Sequence, residues 1–252
     1  MDPRVSLLKE FYRGFPKDRA KLETEEYGFA FLERLLTGGM TLEYGELTPA
    51  GLVHKYKLAG IPEGRMDELL LAHVEKACNV CLYFDLRAND TFCFNLDNNH
   101  QVNSSQIIPE MDLAVRELGG HLRGLGCEPL IVASGRGYHV WGRLEAAVTN
   151  ERLHDFMLRC GAATLAALVR QGLDRRQIKF NFYPDPRNQH VVSLRLFGSR
   201  HVRNKTFSRI LTPQGLLDET ASWEFFADYL AHRTIALARF QAAHDSLLNR
   251  VS

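Results

Sequence analysis

ASGRGYHVWG (Ala133–Gly142) sets two glycines and an arginine between the strand-forming run PLIVA and a strand-like segment with one histidine. Glycine weakens the interior of a strand and usually marks a bend or a close approach of backbone to something else. Ser134-Gly135-Arg136-Gly137 is therefore the point where one strand ends and another begins, with His139 just beyond it.

Outward from this break the hydrophobic period separates helices from strands. Met111, Leu113, Ala114, Leu118, Leu122 and Leu125 repeat near helical spacing, with Pro109 at the first turn and Gly126 past the end. Leu153, Phe156, Met157, Cys160, Thr164, Ala167 and Leu168 form the stripe of a second amphipathic helix over residues 151–171. Short runs of strand formers occur at VCLYFDL (80–86), TFCFNL (91–96), IKFNFY (178–183) and HVVSLRLFG (190–198). The first two are separated by RAND, which reads as a hairpin with Asn89 and Asp90 in the turn. The first 78 residues read as mainly helical, from Phe29, Phe31, Leu32, Leu35 and Leu36 and again from Leu69, Leu70, Leu71 and Val74. A glycine-broken, irregular segment holding Leu52, Val53, Tyr56 and Ile61 lies between them. The last forty residues return to helix, starting near Thr220 or Ser222. The expected class is α+β, a mixed β-sheet core over 79–212 flanked by N-terminal (1–78) and C-terminal (213–252) helices, all in one domain of 252 residues.

Composition sets limits. A 45% hydrophobic, 24% charged chain without low-complexity tracts is that of a globular protein. No apolar run approaches membrane-spanning length and MDPRVSLLKEFYRGFPKDR has no signal-peptide core, which gives a cytoplasmic expectation and no membrane partner. Five scattered cysteines do not make a disulfide framework, and the lone CxxC of Cys78 and Cys81 runs straight into strand-forming residues, so buried thiols are the better reading than a zinc knuckle. A net charge of +1 conceals the stretch Pro186–Leu217, which has no Asp or Glu but holds Arg187, Arg195, Arg200, Arg203, Lys205 and Arg209. Such a block is either a solvated face or an anion site.

Reactive side chains gather at strand ends. Asp85 and Asp97 close two strand-like runs, His139 follows the glycine turn, and Asp185 leads into the basic strand. Converging carboxylates can hold a hard divalent cation whose shell is completed by substrate phosphates, and Arg, Lys, His and glycine-freed N–H groups can neutralise those phosphates. Each piece has a plainer reading: an Asp at a strand end commonly caps a turn, and a histidine in an apolar strand is commonly a satisfied core residue. Arg195, between Leu194 and Leu196, needs an anion or open solvent.

The order of these pieces resembles the archaeo-eukaryotic primase superfamily, the primase small subunits and primase-polymerases. SGRGYHVW (134–141) looks like that family's serine–glycine–histidine motif, and SLRLFGSRHVRNKT (193–206) like its basic strand and loop. The N-terminal FYRGFP and EEYGFAF are also similar to the family's opening helices. The resemblance implies an RRM-like catalytic core and a nucleoside triphosphate held by Ser134, Gly135, Arg136, His139, Arg195, Ser199, His201 and Lys205. It further implies Mg2+ or Mn2+ as cofactor, with Asp185 as third metal ligand.

The family expects acid, any residue, acid in its first motif, and this chain departs from it. FDLR offers Asp85 with Arg87 in second place, while FNLD offers Asn95 and then Asp97. The second parse is favoured because TFCFNLD directly precedes the helix leading to SGRGYH; Asp85 would then supplement it from a neighbouring strand, and Asn95 would coordinate through an uncharged amide oxygen. The implied activity is primer synthesis or extension from nucleoside triphosphates on a single-stranded DNA template, with an accessory primase subunit or helicase supplied in trans. The competing readings are a catalytically degenerate relative that binds nucleotide or nucleic acid in a regulatory role, and an unrelated basic α/β interaction module.

Overall fold

A computed structural model describes residues 2–24, 33, 39–47, 54–62, 64–98, 107–187, 193–201 and 205–249. The helix expected around Phe29–Leu36 lies outside these residues apart from Glu33, as do EEYGFAF, Leu52, Val53 and Arg203. The chain divides into two compact units, one of Met1–Asp85 with His190–Ser208 and the other of Leu86–Gln189 with Arg209–Ser252.

The first unit contains α1 (Pro3–Phe11), β1 (Arg19–Thr24), β2 (Thr41–Leu47), β3 (His54–Ala59), α2 (Arg65–Val74), β4 (Asn79–Tyr83) and, from the later segment, β9 (Ser193–Arg195). Its strands form one antiparallel sheet in the order β2-β3-β1-β4-β9. The mainly helical expectation for residues 1–78 thus meets three strands. Their signal is a short period-2 alternation, Ala20, Leu22 and Thr24 buried between Lys21 and Glu23, and Tyr56 and Leu58 buried between lysines. Phe11, Tyr12, Phe15 and Phe84 pack edge-on or tilted at centroid distances of 4.6 to 5.3 Å. Cys78 and Cys81 are buried thiols whose pKa burial pushes up to about 12.

The second unit contains β5 (Ala88–Asn98), α3 (Pro109–Gly124), β6 (Leu130–Ala133), β7 (Gly137–Thr149), α4 (Asn150–Arg170), β8 (Ile178–Tyr183), β10 (Arg209–Thr212), β11 (Gly215–Leu216), α5 (Glu219–His232) and α6 (Leu237–Leu248). Its sheet runs β11-β10-β6-β7-β5-β8, again with antiparallel pairings; the α+β class is as expected. Phe92, Phe94 and Leu96 of β5 enter a core with Met111, Val115 and Leu118 of α3 and Phe156 and Cys160 of α4. Phe240 of α6 closes on Phe156 at 4.9 Å, and α5 begins one residue before the expected start, capped by the Asp218 carboxylate accepting from the Ala221 N–H at 2.8 Å.

The hairpin expected between residues 80–86 and 91–96 does not form. β4 pairs with β1 and β9, whereas β5 pairs with β7 and β8 of the other sheet. Asn89 and Asp90 are buried inside β5, where the register with β7 shifts between Asn89 and Thr91, and Asn89 donates to the Asn150 Oδ1 at 2.7 Å. Turn-forming residue types there supply a β-bulge and a buried polar contact rather than a reversal.

His73 ties α2 to the first sheet. It is fully buried; its Nδ1 accepts from the Val80 N–H at 3.0 Å and its Nε2 lies 2.9 Å from the Phe197 carbonyl. This pattern requires the neutral ring, and burial lowers its pKa to about 4. An unfolded histidine near 6.5 takes up a proton that the folded one refuses, so this contribution is intact above pH 6.5 and is lost as pH falls towards 4. Urea midpoints measured against pH should fall over that window by a change on the order of 3 kcal/mol, and His73→Asn should flatten the dependence.

Candidate active-site face

The site begins with alternation along β5. With Phe92, Phe94 and Leu96 turned into the helical core, the pleat sends Cys93, Asn95 and Asp97 to the opposite face of the sheet. The flanking strands keep the same register. Asn95 lies between Asn181 of β8 and His139 of β7, Cys93 between Tyr183 and Trp141, and Asp97 between Lys179 and Gly137. Three strands thus present a polar patch.

The stretch Ser134-Gly135-Arg136-Gly137 is a two-residue hairpin joining β6 and β7. Ser134 donates its N–H to the Gly137 carbonyl at 2.8 Å and its hydroxyl to the same oxygen at 3.1 Å. Gly135 has φ of +104°, a conformation that favours glycine. A Cβ on Gly137 would run into the Leu96 carbonyl oxygen, so the backbone that approaches this glycine is β5 itself. The turn holds Arg136 over Asp97, with Nη2 to Oδ2 at 3.2 Å and both side chains largely covered. His139 is buried with its ring 6.0 Å from Trp141, edge to face.

Asp185 follows β8 after Pro184. Its Oδ1 accepts from the Arg187 N–H at 2.9 Å and from the guanidinium Nε at 3.0 Å. Burial works to raise its pKa, yet the Arg187 hydrogen bonds and the field of His154 carry it below the usual carboxylate range. Tyr183 stands opposite Cys93 of β5. Its phenol pKa is raised chiefly by burial, with the negative fields of Asp185 and Asp97 adding to the rise and a side-chain hydrogen bond with Asn95 opposing it.

The other unit carries Asp85, Arg195, Ser199, His201 and Lys205. Arg195 sits on β9 with its Nε 3.6 Å from Glu23. Beyond Gly198, at φ of +87°, the chain folds into a loop in which Ser208 donates its N–H to Ser199 at 2.9 Å and His201 to Thr206 at 2.8 Å. Lys205, at φ of +59°, returns its N–H to His201 at 2.8 Å, and the Asn79 amide clamps Arg200 through bonds of 2.6 and 3.0 Å. Asp85 follows β4, which pairs with β1 and β9 and not with β5, so the two strands expected to be neighbours belong to different sheets.

Lys179, Asn181 and Tyr183 were not among the expected site residues. Their signal was the alternation in IKFNFY, whose apolar members Ile178, Phe180 and Phe182 pack on the core side.

Among solved structures the chain is similar to the Polymerase Domain from Mycobacterium tuberculosis Ligase D in complex with DNA, with TM-score 0.51, 14% identity, and coverage of 99% of this chain and 86% of that one. At that identity the likeness concerns the fold. No protein-family model and no curated protein matches the sequence.

The compensation at Asp185 is measurable. A carbon-detected NMR titration should place its midpoint below that of a free aspartate, and Arg187→Gln should move it upward; unchanged midpoints would show that Arg187 does not set it.

Proposed function

We propose that the chain is a template-dependent nucleotidyltransferase of the primase or primase-polymerase type, its two units acting as one catalytic domain. The observation that carries this reading is the register that sets Asn95 and Asp97 of β5 between β7 and β8 on the face opposite the helical core, with the serine–glycine turn placing Arg136 on Asp97 and Asp185 following β8. The fold likeness to a polymerase domain solved with DNA supports it.

The two carboxylates and the Asn95 amide are hard oxygen donors of the kind that suits one Mg2+ or Mn2+ completed by substrate phosphates. Such an ion would supply charge neutralisation and lower the pKa of a coordinated hydroxyl. The chain's own residues do the remaining work. Ser134, Gly135, Arg136 and His139 are assigned to the phosphates of a nucleoside triphosphate, Arg136 exchanging the Asp97 carboxylate for a phosphate oxygen. Arg195, Ser199, His201 and Lys205 are assigned as further phosphate contacts. In the reaction the 3′-hydroxyl of a primer or initiating nucleotide attacks the α-phosphate, the P–O bond to the β-phosphate breaks, and pyrophosphate leaves with its charge met by these cations. A single-stranded DNA template and an accessory subunit or helicase in trans complete the reading, in a cytoplasmic setting. No described helix is long and apolar enough to cross a membrane.

A second reading, nucleotide or nucleic-acid binding without catalysis, is favoured by one observation. Asn95 brings no charge, while Asp97 and Asp185 are each already matched by an arginine.

Primer extension on single-stranded DNA with Mg2+ or Mn2+ distinguishes the two. Asp97→Ala and Asp185→Ala should each lower incorporation by about 10²–10³-fold, and Asn95→Asp, which completes the acidic pair, should raise it by about tenfold, a gain of only about 1.4 kcal/mol. Absence of product from the wild type together with product from Asn95→Asp would establish the binding role.

A further inference from the structure

Asn95 raises a difficulty that a carboxylate in its place would not. A carboxylate has two equivalent oxygens and meets a cation with either, whereas an amide has an acceptor end and a donor end of nearly the same shape. Only the oxygen end can meet a cation; the N–H2 end turned the same way would repel it. Shape alone does not tell the ends apart, so the orientation of the Asn95 amide has to be set by a hydrogen-bonding neighbour.

The register of the second sheet supplies one. On the face of β5 opposite the helical core, Asn95 has Asn181 of β8 on one side and His139 of β7 on the other. Asn181 is itself an amide, with both a donor and an acceptor, and favours neither orientation. Tyr183 lies two residues beyond Asn181 on the same face of β8, opposite Cys93, and is therefore the diagonal neighbour of Asn95. Diagonal partners across an antiparallel pair are about 7–8 Å apart, within reach of an aromatic side chain. The Tyr183 phenol shares a side-chain hydrogen bond with Asn95. That bond opposes the rise of the phenol pKa, which makes the phenol oxygen its acceptor and the Asn95 N–H its donor; a bond given by the phenol would add to the rise. Packing fixes the strand that carries the phenol. The adjoining Phe182 meets Phe94 at 5.8 Å and fills the space beside Gly161 of α4, where a Cβ would lie 2.7 Å from its ring.

We infer that Tyr183 is a positioning residue which takes the N–H2 end of the Asn95 amide and so presents its oxygen end to a divalent cation. This role rests on the cation reading above and adds to it what makes an uncharged ligand usable. Giving a hydrogen bond through its nitrogen also polarises the amide, which strengthens its oxygen as a ligand.

The test is a double-mutant cycle on the full chain, with Mn2+ affinity read from the electron paramagnetic resonance signal of the free ion. Tyr183→Phe keeps the ring and removes the hydroxyl. In the wild-type background it should weaken Mn2+ binding about tenfold, the lower end of what loss of an orienting partner costs a metal site. In the Asn95→Asp background it should change the affinity by less than about twofold, because either carboxylate oxygen serves. In the metal-free chain the side-chain nitrogen–proton resonances of Asn95 should shift in Tyr183→Phe while backbone amides away from β8 stay in place. Equal loss in both backgrounds, loss in neither, or an unmoved Asn95 side-chain signal would overturn the assignment and leave the cation reading standing. Mn2+ bound only after Asn95→Asp would also overturn it, since the oriented amide would then be no ligand. Mn2+ bound in neither background would remove the cation reading itself, and this assignment with it.

Discussion

β5 is the strand on which the second unit depends, because it is paired on both sides and its two faces do opposite work. Phe92, Phe94 and Leu96 bury themselves against α3 and α4, and that burial leaves Cys93, Asn95 and Asp97 no choice of side. A slip of one residue would exchange the sets, placing two polar groups in the helical core and two phenylalanines on the opposite face, so the register is held by the whole hydrophobic set at once. The tight approach of Gly137 to the Leu96 carbonyl fixes the same register from β7. Position of the acidic residues is therefore a consequence of packing on the other face of the sheet.

What packing places, charge must make tolerable. Asp97 and Asp185 lie in partly covered surroundings where an uncompensated carboxylate would lose hydration, and each is met by an arginine two residues along the chain or on the facing turn. The two arginines differ in kind. Arg187 is exposed and bound to its own neighbour through both backbone and side chain, a local arrangement that persists however the rest of the site is filled. Arg136 is held on a hairpin turn and reaches across to another strand, so the Asp97 contact is the one that an entering phosphate can exchange without disturbing local backbone bonds.

The second unit was legible in the sequence because its elements are long and of a single period. The two amphipathic helices, the strand before Ser134 and the strand IKFNFY fall where hydrophobic spacing puts them. The first unit was legible only in part: its helix over Arg65–Val74 and the strands Asn79–Tyr83 and Ser193–Arg195 fall where expected, whereas β1 and β3 are six residues each and interleave apolar residues with Lys and Glu, so a window set for helix averages them away. RAND failed for another reason. Asn and Asp favour turns by bonding nearby backbone, and here the same capacity is spent inside a bulge and on Asn150, a partner sixty-one residues distant that no local pattern announces. Of the candidate site, the β6–β7 turn sets Arg136 on Asp97 of β5, and Asp185 follows β8, the strand paired with β5. Tyr183 was read only as part of a strand.

The parting of β4 and β5 shapes how charge is distributed over the chain. Residues 80–98 read as one hairpin but supply an interior strand to each of two sheets, one whose polar face carries Asp97 and one whose polar face carries the Lys57–Lys21–Arg195 row. The net charge of +1, summed over the whole chain, describes neither face. On each sheet both signs of charge meet: Glu23 lies 3.7 Å from Lys21 and 3.6 Å from Arg195 on the first, and Asp97 lies 3.2 Å from Arg136 on the second. Packing underlies the charges: Lys21 and Lys57 stand opposite one another across a strand pair that the buried Ala20, Leu22, Tyr56 and Leu58 hold together.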